Sequence, residues 1–174
     1  MYYTLYNSPI GEITLASDGE SLTGLWNQDQ KYHGNTLFAK MQRRDDLPIF
    51  DTTKNWLSSY FNGENPDIST LSLNPNASGG EFRRRVWKLL CNIPYGETVT
   101  YGYIAKQMGI KSGQAIGGAV GHNPISIIIP CHRVIGANRS LTGYAGGLKM
   151  KIALLELERV DMSKLTIPTK GTAI

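Results

Sequence analysis

The chain has 174 residues, of which 41% are hydrophobic and 18% are charged, and its formal net charge at pH 7 is +4. This length and composition predict one or two compact globular domains and exclude an intrinsically disordered chain. No apolar stretch approaches the ~20 residues that a membrane-spanning helix needs, which argues against a membrane protein.

Cysteine and histidine content limits the compartment and the metal chemistry. The chain contains two cysteines, Cys91 and Cys131, and three histidines. Two cysteines do not make a disulfide scaffold, and no cysteine pair has the spacing of a metal site. Residues Met1–Thr4 do not begin a basic region followed by an apolar core, so no secretory signal is visible. We therefore expect a cytoplasmic protein without a metal site or a cofactor.

Charge is distributed unevenly along the chain. Residues 1–79 contain 5 Lys and Arg against 9 Asp and Glu, a net charge of −4, whereas residues 80–174 contain 13 against 5, a net charge of +8. This difference predicts an N-terminal domain over 1–79 and a C-terminal domain over 80–174 that faces a polyanion. Charge alone leaves open that the C-terminal half is a basic domain without a nucleic-acid partner.

The N-terminal half has the pattern of a small antiparallel meander followed by a helix. Tyr2–Leu5, Ile13–Leu15 and Leu22–Trp26 are strand-like and are separated by turn-forming residues. Residues 51–61 place aromatic side chains at helical spacing, with an Asp-Thr-Thr start that can cap a helix. Residues 62–80 are rich in Asn, Pro, Gly and Ser, which predicts a linker.

The C-terminal half has the pattern of several helices. Residues 81–91 predict an amphipathic helix with basic side chains on its outer faces, and residues 101–108 and 113–120 predict a helix-turn-helix. The second of these two helices is rich in small residues, which suits either close approach to a narrow minor groove or a tight helix–helix contact. A Gly-rich loop over 136–148 and a last helix over 149–159 follow.

Between the helix-turn-helix and the Gly-rich loop lies a candidate nucleophile. The apolar run Ile127–Ile129 predicts a buried strand or extended segment. Pro130 has no N–H, so this segment should end or leave any ladder there, and Cys131 is expected at a break in regular structure with His132 beside it. A thiol becomes a strong nucleophile as the thiolate, which a neighbouring base promotes. A lone cysteine is usually a small buried hydrophobe, but this long and specific motif favours the nucleophile.

Several motifs resemble those of the O6-alkylguanine-DNA alkyltransferases. The resemblance covers residues 81–160 densely and the N-terminal half more loosely. It implies an α/β protein with a small ribonuclease-H-like N-terminal domain and a mostly helical C-terminal domain that carries a winged helix-turn-helix-like DNA-binding motif. The motifs are Val99-Thr100-Tyr101, Ile116–Val120, Asn123-Pro124, Ile129–Val134 and Gly143–Leu148, with looser matches at Ser8–Glu12 and Leu22–Trp26.

The resemblance also implies a chemistry. Members of this family bind the minor groove, flip the damaged guanine out and move its O6-alkyl group irreversibly to a cysteine, so each molecule reacts once. By motif position Cys131 is the acceptor, His132 takes its proton through a water, and Glu158 orients His132. The expected partner is double-stranded DNA carrying O6-alkylguanine, with O4-alkylthymine left open as a second substrate. No protein partner is required, and we expect a monomer.

The same resemblance gives further site residues. Asn123 would shape the hinge between the helix-turn-helix and the active site, and Tyr101 would serve the flipped nucleotide or protonate the leaving guanine. Gln114 stands where many members have an intercalating arginine, which predicts weaker and less salt-dependent DNA binding. The expected base pocket contains Tyr144, Val134, Ala145 and Gly146, and the expected DNA contacts are Gln114, Ala115, Gly117, Gly118, Arg133 and Thr100.

Two other function classes compete with this interpretation. A non-catalytic damage-recognition module would flip alkylguanine without reacting, but relatives of that kind replace the cysteine, and this chain retains Cys131. An unrelated thiol hydrolase would turn over an ester or an amide, and it would leave the basic half and the small-residue helix unexplained. The sequence therefore favours single-turnover DNA repair.

Overall fold

The computed structural model describes residues 1–28, 30, 40–75 and 80–168. The chain divides into two compact units, Met1–Ser78 with Pro124–Ser126 and Gly79–Asn123 with Ile127–Ile174. The boundary predicted at residue 79 lies outside the described residues. Within the described part, no helix combines the length and the apolar character that crossing a membrane requires.

The first unit is built on a four-stranded sheet with the order β3-β2-β1-β4. The strands β1, β2 and β3 form the predicted antiparallel meander, and β4 pairs with β1 in parallel. Inward-facing residues of β2 and β3 are fully buried and form the core with the apolar face of α1. The elements are β1 (Tyr2–Ser8), β2 (Gly11–Ser17), β3 (Leu22–Asn27), β4 (Gln42–Arg43) and α1 (Pro48–Phe61).

Two details of this unit differ from the predictions. Helix α1 begins at Pro48 rather than Asp51 and has no side-chain cap, because proline sets the helical φ at the first position and has no N–H to satisfy. Part of the predicted linker is packed structure: Leu22 donates a backbone hydrogen bond to Ser72 and accepts one from Asn74, both at 2.8 Å. Leu71 is accordingly buried.

The second unit consists of helices and a short sheet. Polar side chains cap the two helices of the helix-turn-helix: Thr100 accepts from the backbone N–H of Tyr103, and Ser112 accepts from that of Ala115. Strand β5, which pairs in parallel with β6, leads directly into α3. The elements are α2 (Glu81–Leu90), β5 (Val99–Thr100), α3 (Tyr101–Gln107), α4 (Gly113–Gly121), β6 (Val134–Ile135) and α5 (Leu148–Leu157).

The predicted strand at Ile127–Ile129 does not form. These residues are buried in a series of turns, and Ile127 has a φ of 69°, which is incompatible with an extended strand. The chain then forms a short 3₁₀ helix, Cys131–Arg133, directly after Pro130. The prediction of a break in regular structure at Cys131 is therefore correct, although a turn rather than a strand leads into it.

Candidate active site

Cys131 is the first residue of the 3₁₀ helix and is only 3% exposed. The side-chain amide of Asn123, two residues after the end of α4, donates a hydrogen bond to its Sγ at 3.0 Å. The same amide nitrogen donates to the backbone carbonyl of Ile129 at 2.7 Å. The segment after the helix-turn-helix thus supplies the sulfur with a fixed hydrogen-bond donor, which favours a negatively charged sulfur.

His132 and Glu158 form a buried pair. The Nε2 atom of His132 lies 2.7 Å from Oε1 of Glu158, and neither side chain is exposed. Because an ionised carboxylate only accepts hydrogen bonds, we assign the hydrogen to Nε2, so that in the neutral ring Nδ1 can accept a proton. Burial lowers the pKa of His132, the charges of Arg133 and Lys151 lower it further, and Glu158 opposes them. The site therefore contains a neutral imidazole that can act as a base.

Glu158 directly follows α5 and is 2% exposed, although a glutamate at the end of a helix is normally in solvent. Besides His132, Arg133 donates to both of its carboxylate oxygens, at 2.8 and 3.0 Å, and the backbone N–H of Gly96 donates at 3.3 Å. Burial raises the pKa of this carboxyl, but the hydrogen bonds and charges of His132 and Arg133 outweigh it and set the pKa at about 2. Glu158 is therefore ionised at neutral pH.

Arg133, one of the predicted DNA contacts, is largely buried. Its side chain is 11% exposed, its Nε and Nη2 bind Glu158, and its Nη1 donates to the backbone carbonyl of Ile93 at 2.6 Å. Its guanidinium also lies over the ring of Tyr95, 5.7 Å from the centroid. Because every nitrogen of the guanidinium is engaged inside the protein, Arg133 belongs to the buried ion-pair network, which argues against the predicted DNA contact.

Tyr101 begins α3 and reaches the Gly-rich loop. Its hydroxyl donates to the backbone carbonyl of Gly143 at 3.0 Å and lies 3.3 Å from that of Thr142. Burial raises the pKa of Tyr101, and the charge of Cys131 adds to this effect, so the hydroxyl keeps its proton. Gly143 has a φ of 74°, and a Cβ there would lie 2.2 Å from the tyrosine oxygen. Only glycine permits this contact.

Tyr144 is the buried aromatic residue of the expected base pocket. Its ring stands edge-on to that of His132, with 6.4 Å between centroids, and the residue is 2% exposed. Within the part of the chain that the structure describes, its hydroxyl has no hydrogen-bond partner. A Cβ on Gly146 would lie 2.7 Å from the Tyr144 ring, so this glycine allows the ring its position. Ala145 is half-buried beside them, and Val134 is fully buried in β6.

Lys151 is a residue of the site that the sequence analysis missed. It is fully buried in α5, and its ammonium donates to the backbone carbonyls of Val134 and of Thr142, the latter at 2.8 Å. Burial lowers its pKa to about 8, and the charge of Cys131 opposes this shift. Lys151 lies three and four residues before Leu154 and Leu155, which places it on the buried face of the helix. This spacing is the sequence signal that could have revealed it.

The remaining predicted DNA contacts lie on or beside α4. Gln114, Ala115 and Gly118 are exposed, and Gly117 is half-buried. A Cβ on Gly117 or Gly118 would meet no atom within 4 Å outside the helix's own backbone. Packing within the described chain therefore does not require these glycines, which disfavours the helix–helix alternative. Thr100 is half-buried, and its hydroxyl caps α3.

Among the described residues, no group of three or more His, Cys, Asp and Glu side chains could hold a metal ion.

The chain matches two family models, one in its N-terminal half and one in its C-terminal half. The ribonuclease-like domain of 6-O-methylguanine DNA methyltransferase matches residues 1–75, and the DNA binding domain of the same family matches residues 81–160. Methylated-DNA–protein-cysteine methyltransferases of Haemophilus influenzae and Methanosarcina acetivorans are both 44% identical to it. These alignments cover 92% and 91% of this chain and 87% and 98% of the relatives.

A solved structure agrees with these sequence matches. The crystal structure of Mycobacterium tuberculosis OGT in complex with DNA superposes with a TM-score of 0.81 at 43% identity and covers 95% of both chains. The fold and the site define a DNA alkyltransferase, and the chain belongs to the 6-O-methylguanine DNA methyltransferase family. The predicted family, two-domain fold and enzyme class, DNA repair by alkyl transfer to a cysteine, are confirmed.

Proposed function

We propose that this protein repairs double-stranded DNA carrying O6-alkylguanine by accepting the alkyl group on Cys131 in one irreversible turnover. The observation that carries this proposal is the hydrogen bond from Asn123 to Sγ, with the buried His132–Glu158 pair beside it. A bond forms between Sγ and the alkyl carbon while the bond from that carbon to O6 breaks. The thioether that results has no route back to a thiol, so the protein is consumed.

Each polar group of the site has a role in proton transfer or hydrogen bonding during the reaction. His132 accepts the proton of Cys131, directly or through water, and Glu158 stabilises the imidazolium that forms. The guanine leaves as an anion. The hydroxyl of Tyr101, which is protonated before the reaction, donates a hydrogen bond or its proton to this anion in place of its hydrogen bond to Gly143, and water then restores any proton given up. Tyr144 presents a buried hydroxyl to the base.

The base must leave the duplex to react. Cys131 is nearly buried, so an alkyl carbon reaches Sγ only when the base itself enters the site. The exposed small residues of α4 allow its backbone to approach a minor groove, and Gln114 at its start can fill the space that the base vacates. The related Mycobacterium tuberculosis protein was crystallised in complex with DNA, which supports this partner.

The proposal includes a cytoplasmic monomer. The acceptor works only as a free thiol, which a reducing compartment maintains. Every group assigned to the chemistry comes from one unit of one chain, so transfer requires no protein partner.

Intact-mass measurement after incubation with an O6-methylguanine duplex tests the proposal. We expect a gain of one methyl group per molecule, located on Cys131 by peptide mapping. The Cys131→Ala variant should bind the duplex without gaining mass, and Cys91→Ala is the matched control that should still react. Binding without any mass gain in the unmodified protein would indicate a recognition module, and repeated turnover of an ester would indicate a hydrolase.

A further inference from the structure

Arg133 is a buried charged residue that contacts Glu158 of the proposed catalytic groups but has no assigned role in the chemistry. Its fork donates to both oxygens of Glu158, at 2.8 and 3.0 Å, and its third nitrogen is held by the carbonyl of Ile93 at 2.6 Å. Two-pronged contact of this kind fixes the plane of a carboxylate, which a single ammonium cannot do. The plane of Glu158 is therefore set by Arg133, and Glu158 in turn sets the orientation of His132.

The charge of Arg133 matters as well as its geometry. A buried carboxylate 2.7 Å from an imidazole favours the imidazolium, which cannot accept a further proton. Arg133 compensates the charge of Glu158, so the group of three is neutral when His132 is neutral. In agreement with this arrangement, the charge of Arg133 is among the effects that lower the pKa of His132.

We propose that Arg133 is a positioning residue of the alkyl transfer, which aligns His132 through Glu158 and keeps it neutral and able to accept the proton of Cys131. This inference rests on the proposed function. Besides Glu158 and Arg133, the titratable groups that act on His132 or lie at its ring are Lys151 and Tyr144, and Cys131 precedes it in the chain. Lys151 lowers the pKa of His132 in the same direction as Arg133, so an Arg133 variant changes one of two positive charges.

The pH dependence of single-turnover transfer from an O6-methylguanine duplex tests this role. In Arg133→Met, the loss of a positive charge raises the pKa of the groups around it, so the acid limb of the rate profile should move to higher pH by about one unit. Arg133→Lys keeps the charge but loses the fork, so we expect a lower maximum rate with a smaller displacement. Arg133→Met combined with Glu158→Gln removes both charges and should return the limb towards its original position.

A purely structural arginine gives a different result. If the Arg133→Met limb stays in place while only the maximum rate or the stability falls, the proposal is overturned. If Arg133→Met does not fold, Glu158→Gln is compared with the double variant Arg133→Met/Glu158→Gln. The acid limb of the double variant should lie about one pH unit higher than that of Glu158→Gln, and coincident acid limbs would also overturn the proposal. Absence of transfer in the unmodified protein at every pH would instead refute the proposed function.

Discussion

The side-chain nitrogen Nδ2 of Asn123 lies 3.0 Å from Sγ of Cys131 and donates a hydrogen bond to it. Its second hydrogen is directed at the carbonyl of Ile129, 2.7 Å away, in the turn that delivers the cysteine. Both donor positions of one amide are thus used within the site. Asn123 therefore serves the sulfur directly, in addition to its place after α4.

The isosteric variant Asn123→Asp tests this contact. It replaces the donor by a carboxylate that repels a thiolate, so transfer should slow by at least 10-fold, as expected for a lost charge-assisted hydrogen bond of about 1.5–3 kcal/mol. DNA affinity should stay nearly unchanged, because Asn123 is only 3% exposed. Single-turnover rates and DNA titrations measure the two effects. Asn55→Asp, on the exposed face of α1, is the matched control, and equal rates in both variants would contradict the donor role.

Glu158 should make stability depend on acid pH. Its pKa is about 2 in the folded protein against an ordinary value of 4.5, so the folded state binds fewer protons than the unfolded chain between these values. Its contribution, on the order of 3 kcal/mol, is complete above about pH 4.5 and is lost as pH falls towards 2. Glu158→Gln should remove this dependence of the unfolding free energy on acid pH, and it should slow transfer by about 100-fold.

Denaturant unfolding at several pH values measures this dependence. The exposed Glu64→Gln variant is the control and should reproduce the acid loss of the unmodified protein. A Glu158→Gln protein with an unchanged acid slope would show that this carboxylate is not the group responsible. Equal losses in transfer rate and in DNA affinity would indicate a merely structural residue.

The sequence predicted the local parts of this site and left out those that depend on tertiary packing. The helix-turn-helix and the break at Cys131 follow from periodicity and from proline, which act within a few residues. Glu158 is 26 residues from His132 in the chain, and its position at a helix end predicts exposure, so only the family resemblance pointed to it. The resemblance placed Arg133 among the DNA contacts, and nothing in the sequence indicated that its side chain is buried against Glu158.

Helix α4 gives the clearest test of a surface role. Glycine within a helix is less stable than alanine by about 0.5–1 kcal/mol, and a Cβ on the exposed Gly118 would meet open space. Gly118→Ala should therefore raise the free energy of unfolding by about that amount. The added methyl group should keep the helix away from the groove and weaken DNA binding by about tenfold, or about 1.4 kcal/mol.

A variant that gains stability but loses DNA affinity would indicate that α4 contacts DNA, because a residue needed only for packing would lose stability. Asn55→Ala in α1 is the control, since it raises helix propensity on an exposed face of the other unit and should leave DNA binding unchanged. Denaturant unfolding and fluorescence titration with a duplex measure the two quantities. A Gly118→Ala protein that is more stable and binds DNA as well as before would remove this face of α4 from the interface.

Removing the hydroxyl of Tyr144 should likewise raise stability while it impairs function. Its buried hydroxyl has no hydrogen-bond partner among the described residues, so the free protein bears the cost of desolvating it. Tyr144→Phe should raise the free energy of unfolding by about 1 kcal/mol, whereas transfer should slow by about 10-fold because the flipped base loses a partner.

Tyr6→Phe, which loses only an exposed hydrogen bond with Ser58, is the control. Calorimetry measures the stability of both variants, and single-turnover assays measure their transfer rates. A destabilised Tyr144→Phe protein would mean that the hydroxyl already has a hydrogen-bond partner before substrate binds. An unchanged transfer rate would exclude the hydroxyl from base recognition.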